Sequence, residues 1–289
     1  MPRRDDPRLS PDRLEALLDW LQASRTGRRL RGALGRSRLL HAAFSALADA
    51  RVSAALVPWA ARRWGIDLAE AEVPEGGFGS FNAFFARALR PGARPIDRDP
   101  AVLVSPADGH ACALASLGEG SRLPVKGASA TVAELLADEA LARAYRGGAA
   151  AVFRLYLPDC HRTHFPCDGT PGPPRVIPGD HHAVTPRPGN DVPWLARNAR
   201  TVTLVETPRF GRLALVDVGG FLVGSIRHLA APGPPAAKGD VRAAFLFGGS
   251  SLVLLAPPGR VRFREDLCAA GAAGEEIRVS IGEAVGRPA

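Results

Sequence analysis

The sequence predicts an α+β fold, with an antiparallel β sandwich or barrel-like core under an N-terminal helical cap. Two patterns carry that reading. Over residues 39–57 the apolar side chains Leu39, Leu40, Ala43, Phe44, Leu47, Val52, Leu56 and Val57 recur near the 3.6-residue period of a helix. Beyond residue 100 brief β-branched or apolar runs alternate with glycine and proline, the pattern of short antiparallel strands. With 289 residues, 46% of them apolar, the chain can bury one large core and carry a small appendage.

The elements follow in order. Leu14, Leu17, Leu18 and Leu21 stand at helical spacing near the start. A longer helix begins at Ser37, and Pro58 ends or kinks it because proline lacks an N–H and clashes with the preceding turn. Further helices are predicted over 80–89 and 131–143, and strands over 102–104, 151–157, 202–205, 213–218, 221–226, 251–255 and 276–281. The stretch 171–198, rich in Pro, Gly and His, reads as a long loop of the kind used for lids or binding. Residues 231–240 read as a proline-rich connector.

Bulk properties narrow the function classes. The net charge is +8, and Arg25, Arg28, Arg29, Arg31, Arg36 and Arg38 share one window without an acid. Such a patch suits an anionic polymer or surface, or is a solvated face. Nucleic acid is disfavoured, because no aromatics interleave the arginines. Trp59, Arg62, Arg63 and Trp64 beside the apolar stripe suit a helix lying on an anionic bilayer; the stripe packing on the protein's own core is an equal alternative. No apolar run reaches 18 residues, so the expectation is a cytoplasmic chain without a spanning helix. Cys112, Cys160, Cys167 and Cys268 form no Cys-x-x-Cys pair and are expected as thiols.

Three segments carry chemistry. Gly248-Gly249-Ser250-Ser251 lies between two apolar runs. Alone it reads as a turn or bulge, but a serine after a strained glycine can attack the preceding carbonyl and cut its own backbone. Elimination from the ester and hydrolysis then leave a pyruvoyl group, an electron sink for amine substrates. Pro106-Ala107-Asp108-Gly109 puts a carboxylate at a turn after a short strand, where an aspartate bonding its own backbone is the simpler reading. Asp159-Cys160-His161-Arg162-Thr163-His164-Phe165-Pro166 holds two histidines three apart, suited to acid–base work near neutral pH. A metal pair at this spacing is disfavoured, since no Glu follows the first His and the prolines oppose a helix. Together the segments offer an acid, a base and a nucleophilic hydroxyl, in the chain order Asp, His, Ser.

In combination these motifs resemble the phosphatidylserine decarboxylase proenzymes. Pro106-Ala107-Asp108-Gly109, His161 to Pro166 and Gly249-Ser250-Ser251 match the family's signature segments. Phe81-Asn82-Ala83-Phe84-Phe85-Ala86-Arg87, Arg94-Pro95-Ile96-Asp97, Val125-Lys126-Gly127 and Ile277 to Glu283 match it more loosely. Four positions depart from the family pattern: Cys160 stands for its tyrosine, Ser251 for the threonine of Gly-Ser-Thr, and Val241 and Ala243 for the glutamate and second glycine of Lys-Gly-x-Glu-x-Gly.

The resemblance implies a pyruvoyl cofactor made from Ser250 by cleavage between Gly249 and Ser250. Asp108 and His164 would serve Ser250 in that cut; spacing alone does not choose between His164 and His161. His161 would return a proton to the decarboxylated substrate, and Arg162 with His161 would bind substrate, an exposed loop arginine being the plainer reading of Arg162. The substrate implied is phosphatidylserine in an anionic membrane surface. Chains 1–249 and 250–289 would stay associated, with a homodimer left open. We divide the chain into a basic, membrane-associating helical region, 1–75, and a catalytic domain, 76–289, expected at the cytoplasmic face of the membrane. Three other readings remain: a pyruvoyl-dependent decarboxylase of a soluble amino acid, a serine hydrolase using the same Asp108, His164 and Ser250, and a non-catalytic module binding anionic lipid or nucleic acid.

Overall fold

The structure is a computed structural model that describes Ser24, Thr26 and residues 37–125, 128–180, 198–220, 226–247 and 250–289. The expected helix at 14–21, most of the arginine window, Lys126-Gly127, His181-His182, residues 221–225 and Gly248-Gly249 lie outside the described residues.

The cap is built from α1 (Arg38–Asp49), a 3-10 turn (Arg51–Leu56), α2 (Val57–Trp64) and α3 (Phe81–Phe85). Ser37 caps α1 by accepting from the Leu40 N–H at 3.3 Å. The long helix expected from Ser37 breaks at Ala50, not at Pro58. Proline instead sits in the first turn of α2, where its missing N–H costs nothing, and Gly65 closes that helix in the left-handed region at φ 62°. α3 is shorter than predicted; Ser80 caps it by accepting from the Ala83 N–H.

The rest of the chain folds as β1 (Leu103–Val104), β2 (Gly109–Leu114), β3 (Arg122–Val125), β4 (Ala128–Thr131), α4 (Val132–Leu136), α5 (Glu139–Arg143), β5 (Ala149–Leu155), β6 (Arg162–His164), β7 (Thr170–Pro171), β8 (Arg175–Ile177), β9 (Arg200–Thr207), β10 (Gly211–Gly219), β11 (Ile226–His228), β12 (Val241–Phe245), β13 (Ser250–Ala256), β14 (Arg262–Phe263), α6 (Glu265–Ala273), β15 (Ile277–Val279) and β16 (Ala284–Arg287). The single helix expected over 131–143 is two, because Ala137 turns left-handed at φ 47° and Asp138 caps a fresh start on the Leu141 N–H. Helix α6 was not anticipated.

An eight-stranded antiparallel sheet organises the molecule, in the order β15-β2-β5-β13-β10-β9-β7, with β8 also on β9. It is open, so the barrel-like part of the expectation becomes a layered arrangement. Strands β5 and β13 are buried along their whole length. One face, with Phe153, Leu252 and Leu254, packs against the small sheets β1-β16-β14 and β11-β12-β6 through Leu103, Val285, Phe263 and Phe245. The other, with Val152, Val253 and Leu255, is covered by Leu123 of the β3–β4 hairpin and Leu135 and Leu136 of α4. Double coverage explains why β13 reads as a continuous apolar run and not an alternating one.

Candidate active site

Ser250 opens β13, hydrogen-bonded in register between Leu155 of β5 and Gly219 of β10. The alternation of a strand places its side chain on the face of Leu252 and Leu254, and that of Ser251 on the face of Val253 and Leu255. Both hydroxyls are buried, and neither makes a hydrogen bond among the described residues. Gly249, the other half of the expected cleavage site, lies outside them.

Asp108 comes from the turn that feeds β2. Gly109 adopts φ 146°, and a Cβ there would stand 2.2 Å from the Arg154 carbonyl oxygen, so only glycine lets β2 start this close to β5. The contact sets Asp108 beside the end of β5 at Leu155, whose other neighbour is Ser250. Two strand spacings, about 10 Å, therefore separate the backbones of Asp108 and Ser250 at one end of the sheet. The Asp108 carboxylate is buried and accepts from Arg94 Nε at 3.1 Å to each oxygen and from the Ile281 N–H at 2.8 Å. Arg94 Nη2 adds a 3.0 Å contact, and its Nη1 reaches Glu70 at 3.0 Å.

His164 ends β6. Its N–H donates to the Pro106 carbonyl at 2.8 Å, which ties its strand to the Asp108 turn. The imidazole is largely buried, and among the described residues its Nδ1 has no hydrogen bond; none joins it to Asp108. Burial pushes its pKa down to about 4, with Arg162 and Arg242 adding to the fall and the Asp108 charge opposing it. Val241 is its cross-strand partner. The family's glutamate position is thus next to this ring, and the valine here withdraws a carboxylate that would favour the charged imidazole.

His161 is fully buried and stacks on Phe85, ring centroids 3.8 Å apart. Its Nδ1 donates to the Asp159 carbonyl at 3.0 Å, which assigns the neutral ring its proton and makes Nε2 the basic atom. Asp159 is itself buried and held by Arg278 at 2.6 Å and by the Tyr156 N–H. Arg162 donates Nε to the Ala86 carbonyl at 2.9 Å, committing one edge of its guanidinium to the cap. Cys160, in the family's tyrosine position, is buried with its thiol 3.9 Å from the Arg87 carbonyl, and burial pushes that thiol up to about 11.

The structure therefore sets Asp108 and Ser250 at one end of the main sheet and ties His164 to the Asp108 turn, with His161 and Arg162 on the same segment as His164. Sequence reading missed how the set is held. Arg94 was visible only as part of a motif, and nothing marked it as the partner of Asp108. A fully buried pair, Arg242 with Asp217, also donates to Thr163 Oγ1 between the two histidines. Phe247, just ahead of the glycines, is packed by cap aromatics. The clustering of Phe81, Phe84 and Phe85 was the signal available for it.

The phosphatidylserine decarboxylase family profile matches residues 81–287. A phosphatidylserine decarboxylase proenzyme of Ruminiclostridium cellulolyticum is 36% identical over 239 residues, spanning 82% of this chain and 80% of the relative. Proenzymes of Chlamydia muridarum and Chlamydia pneumoniae are 39% and 38% identical over 219 and 226 residues, covering 75% and 78% of this chain and 73% and 75% of theirs. The matched span takes in Asp108, both histidines and Ser250, and the chain belongs to the phosphatidylserine decarboxylase family.

Proposed function

We propose that this decarboxylase cuts itself between Gly249 and Ser250 and then converts phosphatidylserine to phosphatidylethanolamine and CO2. The observation that carries the reading is the buried Ser250 hydroxyl, without a hydrogen bond among the described residues, at the sheet end of Asp108, to whose turn His164 is tied. With its pKa near 4, His164 is neutral at physiological pH and ready to accept a proton. It takes the Ser250 hydroxyl proton as Oγ attacks the Gly249 carbonyl, and the serine nitrogen leaves with a proton. The Asp108 charge favours the imidazolium formed. Elimination across Cα–Cβ of the ester releases the Gly249 carboxylate, and water then replaces the nitrogen as ammonia, leaving the pyruvoyl group at position 250.

The site suits that group: position 250 is enclosed between Leu155 of β5 and Gly219 of β10, with Ser250 buried. A pyruvoyl carbonyl supplies an electron sink for a substrate amine. The chain's own groups do the rest. Arg162 binds the anionic headgroup, and His161 takes a proton at Nε2 from the substrate ammonium as it becomes a free amine and returns that proton to the α-carbon after CO2 leaves.

The cap gives the reading its membrane side, with the protein peripheral at the cytoplasmic face and residues 1–75 forming the association region. Leu39 and Val52 are 85% and 71% exposed, and Leu47, Leu56 and Trp59 are also exposed. No single described helix is long and apolar enough to cross a membrane. The pair Leu39–Asp49 and Arg51–Trp64, bent by 70°, passes that test together. An exposed apolar surface beside Arg62 and Arg63 fits an anionic bilayer. The test is the intact mass of the purified chain with a phosphatidylserine assay in vesicles. Two fragments, the second lighter by one ammonia than a serine-ended one, and release of CO2 are expected; a single full-length mass would overturn the maturation reading.

A further inference from the structure

Phe247 stands three residues before Ser250, and the cap closes around it. Its ring meets Phe81 and Phe85 edge-on, centroids 4.9 and 5.2 Å away, and lies near parallel to Trp64 at 6.2 Å and Phe44 at 6.0 Å. Its N–H donates to Asn82 Oδ1 at 3.0 Å, and Asn82 Nδ2 donates to Asp49 Oδ1 at 3.0 Å. Two residues earlier, the Phe245 N–H donates to the His161 carbonyl at 2.9 Å. The backbone is thus fixed by side chain and main chain at Phe247 and again at Ser250 in β13, and only Gly248 and Gly249 join the two anchors.

This clamp does more than fill a core. A ring packed only for burial needs no hydrogen bond to its backbone, whereas here Asn82, itself anchored on Asp49, holds the main chain of the one residue whose position limits where Gly249 can go. The three residue steps from Phe247 to Ser250 span at most about 10 Å, so moving the Phe247 anchor moves the carbonyl that Ser250 must attack. Rate in such a unimolecular step depends on how well the reacting atoms are held together.

We propose that Phe247, held by Asn82 and the cap aromatics, is the positioning residue for self-cleavage. The cap then forms part of the maturation machinery. The inference rests on the self-cleavage reading and deepens it.

The test follows cleavage of the full-length chain by intact mass after expression at low temperature, with Phe247→Leu, Phe247→Tyr, Asn82→Ala and Phe84→Leu. Phe84 is buried in the same cluster but makes no ring contact with Phe247 among the described residues. Positioning predicts cleavage at least tenfold slower in Phe247→Leu and Asn82→Ala, and within threefold of the parent in Phe247→Tyr and Phe84→Leu. If Phe84→Leu slows cleavage as much as Phe247→Leu, the cluster acts through stability alone and the inference fails. If Phe247→Leu does not fold, Asn82→Ala decides, and cleavage at the parental rate overturns the proposal. A parent chain that never cuts would instead sink the self-cleavage reading itself.

Discussion

Arg94 holds Asp108 through both carboxylate oxygens while its other terminal nitrogen reaches Glu70, so the buried acid of the site is tied to the cap-side segment that contains Glu70. Removing one partner of such a pair leaves a buried charge unmatched. Arg94→Gln is expected to cost about 3 kcal/mol in urea unfolding and to slow cleavage at least tenfold. Glu70 is half-exposed, so Glu70→Gln is expected to cost less than about 1 kcal/mol. Equal losses from the two variants would mean that the whole chain of charges, and not the Arg94–Asp108 contact, is what matters.

Ser250 and Ser251 can be told apart by the face of β13 they occupy. Ser250→Ala should give one uncut, inactive polypeptide, and Ser251→Ala should still cut, both read by intact mass. His164→Ala and Asp108→Asn should remain largely uncut. His161→Ala should mature but decarboxylate poorly, and the reverse pattern between the histidines would exchange their roles.

The low pKa of His164 has two measurable signs. As a base it stays neutral far into the acid range, so the cleavage rate should hold down to about pH 5, where an ordinary histidine would already have failed near 6.5. Val241→Glu, restoring the family's carboxylate beside the ring, should raise the pKa and move that acid limb upward by about one unit. For stability, the unfolded chain binds the proton near pH 6.5 and the folded chain only near 4. The stabilisation is complete above 6.5 and is lost as pH falls through that window. His110, also pushed down to about 4 by burial, adds to the effect. His164 alone should lower the unfolding free energy by about 2 kcal/mol between pH 7 and 5, the part of the slope that His164→Gln should remove.

The Arg242–Asp217 pair is fully buried beneath the histidine strand. Asp217→Ala should destabilise the chain by about 3–5 kcal/mol, because it strands a guanidinium among apolar side chains. A loss under about 1 kcal/mol in chemical denaturation would show that the pair contributes nothing net.

The exposed leucines and valine of the cap lead to a binding prediction. Leu39→Glu with Leu47→Glu should weaken association with anionic vesicles at least tenfold in a sedimentation assay while leaving cleavage in solution intact. Unchanged association would place the membrane contact elsewhere.

Much of this was legible in the sequence because the signals were local. Apolar runs bounded by glycine and proline located the core strands, and a turn aspartate, paired histidines and a glycine-serine step located the site. What stayed hidden was long-range. Pro58 carries the same helix-breaking signal whether it ends one helix or begins the next, and only packing of the following turn decides. The split at Ala137 needed a left-handed residue that alanine rarely supplies. Arg94 and Ile281, far apart in the sequence, meet at Asp108, a pairing that no local pattern encodes.

The Ile281 contact has a consequence for the mature enzyme. With the proposed cut at Gly249-Ser250, the amide that braces Asp108 falls in the small fragment, and so do β13, at the middle of the main sheet, and the strands beside β1 and β2. Neither fragment holds a finished core or a finished site without the other. Activity should therefore be indifferent to dilution and should disappear as a first-order process in denaturant. Mixing two differently labelled preparations should yield no exchanged pairs short of unfolding, so each molecule keeps for life the partner it was translated with.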